Sequence, residues 1–269
     1  MRLGCCAGFD RIEQVKQAGF DFMEVNVQAV LRGEVDDAEW AAAAPAVDTL
    51  ALPIEAANCL VPGSLPIVGP KRDLPQLRTY MARVAERAGR LGIRRLVLGS
   101  GGARRRPDET AEAEAMDQLV EFARLAGDAC ASHGIVLVIE HLRQQETNTI
   151  NTLAQMHELV DRADHPQVLA LVDTYHFGVE DDSEEALVAL GDRIAHVHLA
   201  EPAGRVEPGA AGDGAESFDF VHFFSLLRKT GYDQRLSIEA KLSGPIEQAG
   251  PAAVRFIRTS WEQASGVGV

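Results

Sequence analysis

The sequence predicts an α/β protein in which residues 1–269 form a single domain, an eight-stranded parallel (β/α)8 barrel. Eight short apolar runs recur along the chain, and each is followed by a segment with helical spacing. This alternation is typical of βα units around a parallel sheet, and eight units give a loose period of about 34 residues. A doubly wound sheet shows the same alternation, but no GxGxxG phosphate fingerprint follows the first run. The barrel is therefore favoured.

The individual elements follow from the two hydrophobic periodicities. We expect strands where short apolar runs occur, at Leu3–Ala7, Phe22–Val25, Ile54–Cys59, Leu96–Gly99, Val136–Glu140, Val168–Asp173, Ala195–Leu199 and Leu236–Ala240. We expect helices where apolar positions return every three or four residues, at Leu77–Leu91, Glu112–Ser132, Thr152–Arg162, Glu184–Leu190, Phe218–Lys229 and Pro251–Glu262. Three of these helical segments are followed by a glycine where a helix commonly ends, namely Gly92, Gly134 and Gly231.

Composition and charge exclude several classes of protein. The composition, with 46% hydrophobic and 25% charged residues, is typical of a globular protein. No apolar run approaches the ~18 residues of a membrane span, so no membrane partner is expected. The formal net charge of −14 would repel a phosphate backbone, so no nucleic-acid partner is expected. The four cysteines form no CxxC motif, which disfavours a zinc ribbon or a disulfide scaffold and favours a cytoplasmic location.

Polar residues end four consecutive predicted strands. VLVIE ends in Glu140, LALVD in Asp173, HVH in His198 and LSIE in Glu239, each about one βα unit from the next. A barrel would bring all four to its C-terminal rim, where three carboxylates would repel one another unless a divalent cation neutralised them. Oxygen ligands with one imidazole suit Mn²⁺, Mg²⁺ or Co²⁺ best, with Zn²⁺ as a further candidate. His196, one layer below His198, is expected to be a hydrogen-bonded core residue.

Six stretches of the sequence resemble the xylose-isomerase-like TIM barrels of sugar phosphate isomerases and epimerases, nearest to the ketose 3-epimerases of the tagatose and psicose type. They are NCLVPGSLPIVGP (Asn58–Pro70), GSGGARRRPD (Gly99–Asp108), EHLRQQETNTINT (Glu140–Thr152), DTYH (Asp173–His176), HVHLAE (His196–Glu201) and LSIE (Leu236–Glu239). The chain departs from the family pattern beside Glu140, where His141 and Arg143 replace the usual Pro and Asn.

The resemblance implies roles for named residues. By it, Glu140, Asp173, His198 and Glu239 are the metal ligands, and Glu140 and Glu239 also form the acid/base pair. Glu146 and His176 match residues that contact the sugar near its carbonyl, and Arg205 matches an arginine in the loop after the HxH strand. The resemblance also implies a homo-oligomer, either a dimer or a tetramer.

Two further groups of residues lie near the predicted rim. Glu24 and Asn58, at the ends of the second and third strands, are candidates to line the pocket, although a rim carboxylate and a turn-forming Asn explain them equally well. Gly99–Gly102 with Arg104, Arg105 and Arg106 follows a strand and could hold a substrate phosphate or carboxylate. For Arg105 and Arg106 a solvated basic loop is the favoured interpretation, while Arg104 is left open.

These residues together predict a divalent-metal-dependent isomerase acting on a small sugar. Removing a proton beside a carbonyl creates an enediolate, and two carboxylates on opposite faces could take one proton and return another. A dehydratase or lyase acting on a keto-sugar or cyclic acid starts with the same step and is the first alternative. A non-catalytic sugar-binding barrel would have no use for paired acids, and an abasic-site endonuclease would need more histidines and less negative charge.

Overall fold

The computed structural model describes residues 1–44, 50–211 and 217–265, and these contain a closed barrel of eight parallel strands in sequence order. The strands are β1 (Arg2–Cys6), β2 (Phe22–Asn26), β3 (Ile54–Asn58), β4 (Arg95–Leu98), β5 (Val136–Glu140), β6 (Val168–Asp173), β7 (Ile194–Leu199) and β8 (Arg235–Ile238). The barrel closes where β1 pairs with β8. The predicted fold class is confirmed, and the ends of every predicted strand lie within two residues of the observed ones.

Helices surround the barrel. In the described part of the chain they are α1 (Ile12–Gln17), α2 (Val27–Val30), α3 (Asp37–Ala43), α4 (Leu74–Arg90), α5 (Gly101–Arg104), α6 (Glu112–Ala131), α7 (Leu153–Ala163), α8 (Thr174–Val179), α9 (Glu184–Ala189), α10 (Phe220–Lys229) and α11 (Ile246–Ala264). Side chains of the preceding residue cap several helices: Asp73 accepts from Gln76 N, Thr152 from Gln155 N and Asp219 from His222 N. No helix among the described residues is long and apolar enough to cross a membrane.

The last predicted helix is wrong at its start. The apolar spacing predicts a start at Pro251, but α11 begins five residues earlier at Ile246. The carbonyl of Pro245 accepts from the amides of Gln248 and Ala249, so the first turn forms before Pro251. Pro251 lies inside the helix, where its missing N–H costs one backbone hydrogen bond.

The barrel interior forms a floor beneath the C-terminal rim. Inward-facing Val97, Val138 and Leu171 pack together with Ala195 and are fully or almost fully buried. Residues two positions later on a strand share the same face, so Glu140 and Asp173 lie above Val138 and Leu171. Asp173 and His198 are also direct partners in the β6–β7 register. The core of the barrel therefore supports the predicted polar cluster from below.

Candidate metal centre

The four strand-tip residues converge at the C-terminal rim of the barrel. His198 Nδ1 lies 3.1 Å from Glu140 Oε1, 3.5 Å from Glu239 Oε2 and 3.9 Å from Asp173 Oδ2. One ligand atom from each of the four residues falls within 4.8 Å of all the others. Glu140, Asp173 and His198 are buried, while the side chain of Glu239 is 21% exposed and faces the opening.

The donor set fits a divalent cation. Asp173 Oδ1 accepts a hydrogen bond from the amide of Tyr175 at 2.6 Å. Its Oδ2 is buried and has no hydrogen-bond partner among the residues that the structure describes. An unpaired buried carboxylate oxygen is costly, and a cation would satisfy it. Burial and the charge of Glu239 raise the pKa of the Glu140 and Asp173 carboxyls. Three carboxylates and one imidazole match a mainly oxygen-ligated metal.

Two side chains, Asn58 and Arg205, hold the Glu239 carboxylate. Its Oε1 accepts from Asn58 Nδ2 at 2.8 Å, and its Oε2 accepts from an Arg205 Nη at 2.6 Å. Burial opposes ionisation of this carboxyl, but the nearby His198 and Arg205 outweigh it and lower its pKa. The two carboxyls Glu140 and Glu239 are therefore shifted in opposite directions, a pattern typical of acid/base pairs. Asn58 and Arg205 therefore both donate hydrogen bonds to the carboxylate of the proposed ligand Glu239.

Glu146 links two arginines beside the centre. Its Oε1 accepts from Arg143 Nε at 2.8 Å and lies 3.4 Å from an Arg205 Nη. Both guanidinium carbons also lie over the Tyr175 ring, Arg205 at 4.6 Å and Arg143 at 5.2 Å from its centroid. Arg143 therefore contacts Glu146 and Tyr175 beside the centre.

His176 is fully buried and has a defined tautomer. Its Nδ1 accepts from the amide of Arg143 at 3.1 Å, so the hydrogen of the neutral ring is on Nε2. Burial lowers the pKa of this imidazole, which favours the neutral form. Nε2 lies 3.9 Å from Asp173 Oδ2 and has no hydrogen-bond partner within the described ranges.

A cavity of about 560 Å³ opens above the cluster. Its lining includes Glu140, Glu146, Arg205 and Glu239 together with residues 99–102. A concave site with a few convergent polar groups is the usual form of a small-molecule pocket. The structure thus places Asn58, Glu146 and Arg205 on the cavity wall, and His176 beneath it.

The three consecutive arginines bind the protein's own backbone. Arg104 is fully buried, and its guanidinium donates to the carbonyls of Glu140 at 2.7 Å and Leu98 at 3.3 Å, which ties the ends of β4 and β5 together. Arg105 donates to Glu146 O and Arg106 to Thr110 O. Arg105 is exposed and Arg106 is half-buried, which agrees with the interpretation of this segment as a solvated basic loop, and both guanidiniums also bond backbone carbonyls.

The role of Glu24 is one that sequence reasoning missed. This carboxylate is fully buried, where a rim position was expected, and it accepts from His198 at 2.9 Å and contacts His196 Nε2 at 2.8 Å. Burial opposes its ionisation, but the two histidines outweigh burial and lower its pKa. The prediction that His196 is a buried, hydrogen-bonded residue is confirmed. The available signal was that Glu24 lies inside an apolar strand, FMEVN, where a lone carboxylate needs a partner.

Comparisons with known proteins agree with this architecture. A family model described as xylose isomerase-like TIM barrel matches residues 12–260. An L-ribulose 3-epimerase from Methylomonas sp. is 28% identical over 149 residues, which cover 55% of this chain and 50% of that protein. The chain spans about half the length of the curated relatives it matches.

Solved structures show the same fold over nearly the whole chain. A D-allulose 3-epimerase from Methylomonas sp. superposes with a TM-score of 0.80 at 19% identity, covering 97% of this chain and 98% of that one. A 3-keto-D-glucoside 4-epimerase from E. coli gives 0.76 at 22% identity, covering 96% and 99%. The resemblance predicted from the sequence motifs is confirmed. This chain belongs to the xylose isomerase-like TIM barrel family.

Proposed function

We propose that this protein is a divalent-metal-dependent sugar isomerase or epimerase that moves a proton beside a carbonyl through an enediolate. The observation that carries the proposal is the convergence of Glu140 and Glu239 on one centre with Asp173 and His198, at the floor of an open cavity. The curated relatives include an L-ribulose 3-epimerase and a ketose 3-epimerase, which supports the same class of reaction.

Glu140, Asp173, His198 and Glu239 would hold one cation, with Mn²⁺, Mg²⁺ or Co²⁺ favoured over Zn²⁺ by the oxygen-rich donor set. When bound, it would act as a Lewis acid and stabilise the negative charge that develops on the substrate oxygens. Arg104, which donates to the carbonyl of Glu140, and Asn58, which donates to the Glu239 carboxylate, keep two of the four residues in place.

The chain supplies two carboxylates for proton transfer. Glu239 is oriented by Asn58 on Oε1 and Arg205 on Oε2, and Glu140 Oε1 contacts His198 while Oε2 faces Gly99. In our proposal one carboxylate removes a proton from carbon on one face of the substrate, and the other returns a proton on the opposite face. Return to the same carbon gives an epimer, whereas return to the neighbouring carbon interconverts an aldose and a ketose.

Substrate orientation is assigned to the polar cavity wall. Beneath the wall, the fully buried His176 carries on Nε2 a hydrogen without a hydrogen-bond partner among the described residues, and in our proposal an oxygen of the bound substrate accepts it. Glu146, Arg205 and Asn58 lie at the cavity and offer an acceptor, a cation and an amide to sugar hydroxyls. A small sugar or sugar derivative, rich in hydroxyl groups, matches this set.

Solvent isotope exchange tests the proposal. The metal-loaded protein is incubated in D₂O with ketoses, aldoses and keto-sugar acids, and carbon-bound protons are followed by NMR. We expect deuterium at the attacked carbon and a 10²- to 10⁴-fold loss of turnover in Glu140→Gln and Glu239→Gln. Glu184→Gln, an exposed position on α9, is the matched control. Near-normal activity in Glu239→Gln with complete retention of the original hydrogen would refute the mechanism, and a dehydrated product would indicate the lyase alternative.

A homo-oligomer is part of the proposal, because the family resemblance implies dimers or tetramers. Sedimentation velocity at micromolar concentration is expected to show a species of two or four chains. A single species of the monomer mass, 29.0 kDa, would contradict it.

A further inference from the structure

A buried carboxylate lies beneath the candidate metal centre and is not one of its four ligands. Glu24 on β2 is fully buried between the rings of His196 and His198, which are fully buried as well. Its Oε1 lies 2.9 Å from His198 Nε2, and its Oε2 lies 2.8 Å from His196 Nε2. The carboxylate therefore contacts a proposed ligand through the ring nitrogen that points away from the other three.

The contact determines which nitrogen of His198 has a free lone pair. An ionised carboxylate only accepts hydrogen bonds, so His198 Nε2 must carry a hydrogen to bond Glu24. In the neutral ring the lone pair is then on Nδ1, the atom that faces Glu140, Asp173 and Glu239. A ring free to adopt the other tautomer would present an N–H to the cation for part of the time. Contacts of this kind orient metal-bound histidines in general.

A second buried imidazole, that of His196, also contacts Glu24. His196 Nε2 contacts Glu24 and lies 3.3 Å from Ser237 Oγ, so His196 holds the second carboxylate oxygen. Within residues 1–44, 50–211 and 217–265, no Arg or Lys nitrogen lies within 4.0 Å of the Glu24 carboxylate. The charged-group contacts of the Glu24 carboxylate are therefore with the two imidazoles, and no ion pair with Arg or Lys competes for it among the described residues.

We propose that Glu24 is a positioning residue for the metal centre, which holds His198 as the Nε2–H tautomer with Nδ1 directed at Glu140, Asp173 and Glu239. This inference rests on the metal site of the proposed function. It concerns the affinity of that site for the metal and the tautomer of the His198 ring. Both can be measured without a substrate.

Glu24→Gln is the main test, because glutamine keeps the size of the side chain, removes the charge and replaces one of the two acceptor oxygens by an NH2 donor. Mn²⁺ binding is measured by titration calorimetry, and the histidine ring nitrogens are observed by ¹⁵N NMR in the diamagnetic Mg²⁺-loaded protein. We expect a 10- to 100-fold increase in the Mn²⁺ dissociation constant and loss of the His198 Nε2–H signal. Glu55→Gln is the matched control, since Glu55 is a partly buried carboxylate on β3 that pairs with Arg2 and Arg235 at the other end of the barrel. This control substitution should change the Mn²⁺ affinity less than twofold.

Two further variants distinguish a positioning role of Glu24 from misfolding and from metal ligation. Glu24→Asp retains a carboxylate, so it is expected to keep the Nε2–H signal with weaker Mn²⁺ binding, and it serves as the test if Glu24→Gln does not fold. Cys6 offers a sulfur within 4.8 Å of the Glu24 and His198 ligand atoms, so Cys6→Ser separates positioning from ligation. The proposal predicts less than a threefold change in Mn²⁺ affinity for Cys6→Ser.

Several results would overturn the inference. The first is a Glu24→Gln variant that keeps the wild-type Mn²⁺ affinity or the His198 Nε2–H signal. The second is a loss of Mn²⁺ affinity in Cys6→Ser as large as that in Glu24→Gln. The third is a wild-type protein that binds no divalent cation. If the wild type binds Mn²⁺ and shows the expected tautomer but exchanges no proton of any sugar, the proposed reaction fails and the role of Glu24 stands.

Discussion

Replacing Gly99 by alanine should damage the candidate centre while leaving the barrel folded. Gly99 directly follows β4, and a Cβ built on its backbone would lie only 2.2 Å from Glu140 Oε2. Ordinary contact begins at 3.4 Å, so the carboxylate would have to retreat by about 1.2 Å. The φ angle of Gly99 is not positive, so alanine meets no backbone strain there. The whole effect of the substitution therefore acts on the Glu140 side chain.

The magnitude follows from this displacement. A misplacement of about 1 Å at a reacting group costs roughly 10²-fold in rate, and we expect at least this loss of turnover in Gly99→Ala. Since the displaced atom is the end of a flexible side chain, the free energy of unfolding should fall by only about 1–3 kcal/mol. The Mn²⁺ dissociation constant should rise, because Glu140 is a proposed ligand.

Calorimetric Mn²⁺ titration, proton exchange in D₂O and thermal unfolding measure the three effects. Gly244→Ala, in the loop after β8, is the matched control, since the nearest atom to its Cβ would be 3.9 Å away. Wild-type Mn²⁺ affinity and exchange rate in Gly99→Ala would refute the assigned position and role of the Glu140 carboxylate. A loss of the folded state would instead contradict the argument that only a side chain has to move.

Two other predictions concern metal content and stability. Asp173→Asn and His198→Ala should each purify with far less divalent metal than the wild type by elemental analysis, because each removes one of four proposed ligands; unchanged metal content would refute the ligand set. Arg87→Ala should lower the free energy of unfolding by about 3 kcal/mol or more in chemical denaturation, since the almost fully buried guanidinium bonds three carbonyls and the Asp37 carboxylate. Metal affinity should not change in Arg87→Ala, and a loss below 1 kcal/mol would show that water replaces these bonds.

Much of the fold could be predicted because its signals are local. A strand buried on both faces needs an uninterrupted apolar run, and a helix packed on it needs apolar residues every three or four positions. The six-residue α9 was predicted, at Glu184–Leu190, but α1, α2, α3, α5 and α8 were not, since four to seven residues give little periodicity. One of them, α8 (Thr174–Val179), begins where Asp173 accepts from the amide of Tyr175, so a proposed metal ligand is also a helix cap. The predicted start of α11 at Pro251 is five residues later than the observed start at Ile246.

The sequence by itself determined that Glu140, Asp173, His198 and Glu239 meet, because parallel strands of a barrel all end at one rim and each of these residues lies within one residue of a strand end. Only the tertiary structure decided what surrounds them. Glu24 meets His198 across 174 positions of sequence, and Asn58 meets Glu239 across 181.

Arg104 belongs to the same class of contacts, since its guanidinium enters the core and bonds the Glu140 carbonyl 36 positions away. Such contacts depend on barrel closure and on register shifts, such as those in the β2–β3 and β6–β7 pairs, which set the height of each side chain relative to its neighbours. A hydrophobic pattern specifies which face of a strand is buried. It carries no information about which polar group on another strand reaches the same depth, because that depends on how all eight strands pack together.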